Sequence, residues 1–104
     1  MDKQVIHKAV EKHTHRIMRQ KILEILLCEH PKPVDRKIIW FALDDLQITS
    51  TEEALDSNLL YLEERGYVRK EAVGGLELGS TVYYITAEGI DVMDGIKQNG
   101  GVAW

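Results

Sequence analysis

A single cysteine, Cys28, stands among the 104 residues, so no intramolecular disulfide can form and the chain fits a reducing compartment. Proline is nearly as scarce, and both copies, Pro31 and Pro33, lie in one short segment. Long apolar runs are missing too. The longest near the N-terminus, Ile22 to Cys28, is broken by Glu24 and falls far short of the roughly 20 residues a membrane span needs. Met1 to Val10 mixes charge with aliphatics and has no apolar signal-peptide centre. The expectation is a cytoplasmic protein without membrane contact.

The chain also lacks the spacings that catalysis needs. No serine, cysteine or carboxylate pair has a partner at catalytic distance in sequence, and no Gly-rich cofactor fingerprint follows a strand. Gly74 and Gly79 followed by Ser80-Thr81 have phosphate-loop spacing, but the lysine after the second glycine is absent and strands flank the segment, which suits a hairpin tip. His7, His13 and His15 do not make a metal pair, because on a helix His13 and His15 point to nearly opposite sides. No enzymatic activity, cofactor, metal or small-molecule ligand is expected. Cys28, among Leu26, Leu27 and Glu29, reads as a small buried hydrophobe.

What is present is one domain's worth of chain, 44% hydrophobic and 29% charged, enough to fold without staples. The net charge of -4 conceals a split. Residues 1 to 21 hold six cations, Lys3, Lys8, Lys12, Arg16, Arg19 and Lys21, against Asp2 and Glu11, while the remainder holds seven against fifteen. A basic arm therefore sits on an acidic body, a pattern shared by nucleic-acid contacts and by solvated helix faces.

From Gln4 to Glu29 nothing breaks a helix, and Ile6, Val10, Ile17, Ile22, Leu23, Ile25 and Leu26 recur at spacings of three and four. One helix satisfies this, or two with Thr14 capping the second. His30-Pro31-Lys32-Pro33 ends it. Asp35 can cap a short, mostly buried helix with Ile38, Ile39, Ala42, Leu43 and Leu46 on one face, widened by Trp40 and Phe41. Ser50-Thr51-Glu52-Glu53 has capping-box form, with Ser50 as the cap of a third helix to about Arg65. Leu55, Leu59 and Leu62 are its buried stripe, and Gly66 is its left-handed stop. Tyr67 to Val73 and Thr81 to Thr86 read as two antiparallel strands. Thr86 caps a last helix with a stripe of Ile90, Met93 and Ile96.

This order, with Leu59-x-x-Leu62-x-x-x-Gly66-Tyr67-Val68 and then Tyr83-x-Ile85-Thr86-x-x-Gly89, resembles the winged helix-turn-helix of small bacterial regulators of the PadR, MarR and ArsR kind. The resemblance covers about Asp35 to Gly95. It implies a mainly α fold with a small β-hairpin (α+β) and an extra N-terminal helix, in one domain over 1–104. Its parts are a helical segment at 1–30, the helix-turn-helix at 35–65, the wing hairpin at 67–86, the closing helix at 87–98 and a flexible tail at 99–104.

The implied function is a DNA-binding transcriptional regulator of bacterial or phage type, acting by operator occupancy, because in such folds the third helix enters the major groove and the wing meets the backbone. Double-stranded DNA is the implied partner. Candidate contacts are Thr49, Ser50, Thr51, Ser57 and Asn58 at the start of the third helix, Arg36 and Lys37 on the second, and Arg69 and Lys70 on the first strand. Lys8, Lys12, Arg16 and Arg19 would line one face of the first helix. Against this stands the sign of the third helix, where Glu52, Glu53, Asp56, Glu63 and Glu64 crowd a surface that phosphate should repel, and a wing segment from Ala72 to Ser80 without Lys or Arg. The alternative is a winged-helix module that binds protein through that acidic helix. A homodimer is expected from apolar residues in excess of one small core, in the helix from Thr14 to Cys28 and in Val102-Ala103-Trp104.

Overall fold

A computed structural model describes residues 2–48, 50–74 and 79–95 of the chain. The first helix, α1 (Lys3–Glu29), is continuous, capped by Asp2, whose carboxylate accepts from the Gln4 amide. Thr14 caps nothing, since its hydroxyl donates back to the Val10 carbonyl in mid-helix. At 1.5 Å per residue α1 is about 40 Å long, and only its second half is packed. Its buried residues are Met18, Ile22, Leu23 and Leu26.

After the prolines the chain runs briefly extended as β1 (Val34–Asp35), then enters α2 (Arg36–Asp45), where Asp35 caps as expected by accepting from the Lys37 amide at 2.7 Å. Helix α3 (Glu52–Glu64) follows. Its cap is Thr51, one residue later than the capping-box reading: Thr51 Oγ1 accepts from the Ala54 amide at 3.1 Å. The shift places both Glu52 and Glu53 in the first turn, where the helix dipole favours negative charge. Gly66, with φ of 77°, ends α3 in the left-handed region as the sequence demanded.

Strands β2 (Val68–Val73) and β3 (Ser80–Ile85) form the hairpin, with Val68 opposite Ile85 and Val73 opposite Ser80. The sheet has a third member that the sequence reading lacked: β1 pairs antiparallel with β3, Val34 opposite Tyr83, giving the order β1-β3-β2. Two residues are too few to show alternation, which is why no pattern announced them. Helix α4 (Ala87–Met93) starts at Thr86, whose Oγ1 accepts from the Gly89 amide and donates to the Gly66 carbonyl at 2.6 Å, tying both ends of the hairpin together. Residues 96–98, expected to continue this helix with Ile96, and the tail at 99–104 lie outside the described residues.

One core results, from the second half of α1, Ile39 and Leu43 of α2, Leu55, Leu59 and Leu62 of α3, Val34, Val68, Tyr83 and Ile85 of the sheet, and Val92 of α4. Helix α2 contributes less than expected. Ile38, Phe41 and Leu46 are 56%, 59% and 51% exposed, so the i, i+4 pair Ile39 and Leu43 is what α2 buries, with Trp40 half-buried against the core. Cys28 is exposed, not buried, because it lies two residues, about 200° of helix, beyond the fully buried Leu26. No helix among the described residues is long and apolar enough to cross a membrane.

Candidate nucleic-acid interface

Helix α3 presents its outer side because Leu55, Leu59 and Leu62 fix its inner one. At i, i+4, i+7 and i+11, Glu53, Ser57, Leu60 and Glu64 make the exposed ridge, with Thr51 at its start. Leu60 is 51% exposed. Ser50 is half-buried and Thr51 and Ser57 are exposed, so the hydroxyl-bearing part of the ridge is its N-terminal half. Thr49 lies outside the described residues.

Asn58 is not on this ridge. It is fully buried, against the expectation of an exposed base-reading amide, since it lies one residue before Leu59 on the α1-facing side. Its amide oxygen accepts from Arg19 Nε at 2.8 Å, and its amide nitrogen lies 2.9 Å from His15 Nδ1 and 2.8 Å from the Ala54 carbonyl oxygen, to which it donates. Arg19 is thereby removed from the basic stripe of α1. Its guanidinium stacks on the Tyr61 ring at 3.7 Å from the centroid. Burial pushes the Arg19 guanidinium below its ordinary value; Arg65 adds to this and Tyr61 opposes it. Arg16 is half-buried as well, with its Nε out of contact with water and without an acceptor among the described residues. Lys8 and Lys12 remain exposed.

Arg36, expected to grip phosphate, instead faces α3. Its Nε and Nη2 donate to the two carboxylate oxygens of Asp56 at 2.7 and 3.1 Å, and Nη1 reaches Glu52 at 3.4 Å. Hydrogen bonding to Asp56, ahead of the burial that opposes it, holds this guanidinium above its ordinary value. The pairing neutralises part of the acidic helix, which sequence spacing could not reveal because the partners are 16 and 20 residues apart. Lys37 is exposed at the first turn of α2, on the rim of a cleft of about 600 Å³ between the start of α2 and the loop end of the hairpin.

Arg69 and Lys70 are exposed on β2, but successive strand residues face opposite sides of a sheet. Arg69 lies over the Tyr84 ring at 4.2 Å and meets Glu71 at 3.3 Å, whereas Lys70 sits 3.9 Å from Glu63 of α3. They do not form one grip. Among the described residues, Lys37, Lys70 and Arg65 at the end of α3 are exposed on the helix-turn-helix side, Lys70 beside Glu63 and Arg65 near the Tyr61 ring, with Arg69 on the other side of the hairpin.

By sequence the chain matches no protein-family profile and no curated protein. Solved structures of similar fold exist. A PadR-like transcription factor from Bacteroides fragilis superposes with a TM-score of 0.68 at 17% identity, over 88% of this chain and 84% of that one. A PadR family transcription regulator from Clostridium difficile superposes at 0.65 with 18% identity, over 78% and 83%. The B. subtilis transcriptional regulator YodB, in its reduced form, superposes at 0.59 with 18% identity, over 92% and 85%. The fold is a winged helix-turn-helix. In its terms α2 and α3 are the helix-turn-helix, β2 and β3 the wing, and α1 the additional N-terminal helix.

Proposed function

We propose that this winged-helix chain is a DNA-binding transcriptional regulator that acts by occupying an operator as a homodimer, in the cytoplasm and without enzymatic activity. The observation that carries the reading is the winged helix-turn-helix fold, superposable over more than three quarters of both chains on proteins described as transcription regulators. In this arrangement the N-terminal half of α3 supplies Ser50, Thr51 and Ser57 toward the bases, with Thr49 just before them. Lys37, Lys70 and Arg69 approach phosphate from either side, and Lys8 and Lys12 extend the favourable field along α1. Asn58, Arg36, Arg16 and Arg19 act behind this surface.

Dimerisation finds support mainly before the segment the sequence suggested, with Ile17 common to both. The helix from Thr14 to Cys28 is mostly spent on the core, but Val5, Ile6, Val10 and Ile17 are 55%, 47%, 57% and 43% exposed. Ile6, Val10 and Ile17 fall within about 40° of one another around α1, a stripe that a second copy would cover.

The acid ridge of Glu53 and Glu64 favours a second reading, a module that docks a basic protein segment. Electrophoretic shift with a pool of random duplexes, at two salt concentrations, separates the two. The regulator reading expects retained duplexes whose affinity falls steeply with salt, by a slope of about 0.9 per phosphate contact. No duplex binding at low salt would replace it with protein docking.

A further inference from the structure

The amide of Asn58 is enclosed by three groups whose hydrogen-bonding roles decide its orientation. Arg19 Nε, 2.8 Å from the amide oxygen, can only donate. The Ala54 carbonyl oxygen, 2.8 Å from the amide nitrogen, can only accept. Turning the amide over would set donor against donor at Arg19 and acceptor against acceptor at Ala54, so the amide is fixed with NH2 toward His15. His15 Nδ1, 2.9 Å away, must therefore be the acceptor. That requires an uncharged ring carrying its proton on Nε2. Of the two amide hydrogens one goes to Ala54 and one to His15. The Met18 sulfur, 3.0 Å away, is the weaker acceptor.

We propose that His15, Asn58 and Arg19 form a proton-sensitive latch between α1 and α3, closed only while His15 is uncharged. Once His15 gains its second proton, Nδ1–H meets N–H of the amide. Asn58 cannot reorient, because its single oxygen is held by Arg19, so the contact separates. The half-buried His15 turns outward, and a fully buried amide hydrogen is left with the Met18 sulfur alone, a weak acceptor. Of the charged groups around the array, Glu11 of α1 lies one turn before His15 and pairs with His7 at 3.2 Å, whereas the cations oppose a second proton. Arg19 of α1 lies beside the amide, and Arg65 of α3 stands 5.1 Å from the ring of Tyr61, the same ring that Arg19 covers. A cationic His15 would share the Asn58 amide with the Arg19 guanidinium. The latch fixes how α3 sits on α1, so His15 is a positioning residue and does not touch DNA. Only its effect on DNA rests on the regulator reading.

Nuclear magnetic resonance of the free full chain tests the latch without DNA. Between about pH 8 and pH 5, where histidine titrates, the wild-type His15 ring should start as the Nε2–H tautomer. Exchange of the Asn58 side-chain amide hydrogens, taken relative to that of a free asparagine amide at the same pH, should accelerate with the same midpoint as the His15 ring. His15→Gln, whose side-chain oxygen can accept at any pH, should keep Asn58 slow throughout. His15→Phe, a ring with no acceptor, should leave Asn58 fast throughout. An Nδ1–H tautomer at high pH, or an Asn58 amide that exchanges unchanged through the His15 titration, overturns the proposal. Thermal unfolding gives a second reading. From pH 8 to pH 5 the wild type should lose roughly 4 °C or more relative to His15→Gln, the shift expected for one buried hydrogen bond in a domain this small. Equal losses overturn the proposal. If the latch titrates as described while no duplex is bound at either pH, the latch stands and the regulator reading fails.

Discussion

Arg36 holds Asp56 by two parallel hydrogen bonds from one edge of its guanidinium, joining the two helices of the helix-turn-helix across the turn. The bidentate fork suits a planar carboxylate. Its functional meaning is double: it silences a cation that could reach phosphate, and it cancels an anion on the helix that would repel phosphate.

Asp56→Asn should therefore raise duplex affinity and steepen the salt dependence by about one phosphate contact, since it removes a negative charge and leaves Arg36 held only by the longer contact to Glu52. The stability cost should be small, about 0.2–1 kcal/mol, because Asp56 is 59% exposed. Affinity titrations at two salt concentrations, with urea denaturation of the same samples, check both parts. An unchanged salt slope would show that this face of the helix-turn-helix does not meet phosphate.

Gly89 was part of the motif that carried the winged-helix resemblance, and the fold supplies the reason. It is buried in the first turn of α4, where a Cβ would run into the Tyr67 carbonyl oxygen and lie 2.8 Å from the Ile85 side chain. Helix propensity alone would have Gly89→Ala stabilise by about 0.8–1.0 kcal/mol. The clash should reverse the sign and cost about 1–3 kcal/mol, since the obstruction is backbone that cannot swing aside. Denaturant midpoints of the two proteins decide between the signs.

The scaffold was legible because its signals are local. Caps at Asp35 and Thr86, the stop at Gly66 and the Leu55–Leu59–Leu62 stripe each lie within a turn or two of what they control. The site was less legible. Asn58 and Ser57 are neighbours of similar polarity, and only the position of α1 buries one and exposes the other. Arg36 and Arg69 look alike in sequence, yet one is committed to Asp56 and the other rests on Tyr84. The exposed Ile38 and Phe41 were misjudged because periodicity reports an apolar face without saying whether anything covers it.

Tyr83 gives the fold a pH dependence of defined sign. Burial pushes its phenol above the ordinary value, and the negative charges of Asp56 and Glu63 add to this while Arg36 opposes it. As pH rises through about 10, the unfolded chain releases the proton while the folded chain keeps it. The unfolded state then binds fewer protons, so stability falls with rising pH; below that range the group contributes no slope. Between about pH 9 and pH 11 Tyr83→Phe should lose less stability than the wild type. Parallel denaturation curves with no difference would mean that Tyr83 ionises as freely when folded as when unfolded.

The exposed stripe on α1 predicts the assembly state. Replacing Ile6 and Val10 by Ser should convert a dimer into an 11.9 kDa monomer in sedimentation at micromolar concentration, without lowering the unfolding temperature of the monomeric domain, because no described residue before Met18 is buried. A wild type that sediments only as the monomer would remove the dimer.

The basic arm can be tested residue by residue, because the fold divides its four expected cations into two pairs. Lys8 and Lys12 are exposed on the part of α1 that precedes the core, whereas Arg19 is bound to Asn58 and Arg16 is half-buried. Counterion release counts only cations that reach phosphate. Lys8→Gln with Lys12→Gln should therefore weaken binding to all duplexes alike and flatten the salt slope by about 1.8, two contacts at about 0.9 each. Arg16→Gln should leave the slope unchanged. Arg19→Gln should also leave the slope alone but lower stability by about 1–3 kcal/mol, because the buried Asn58 oxygen loses its donor. A slope that drops with Arg16 or Arg19 and not with the lysines would mean that α1 lies on DNA by its other side, and that the packing of its second half against α3 opens when DNA is bound.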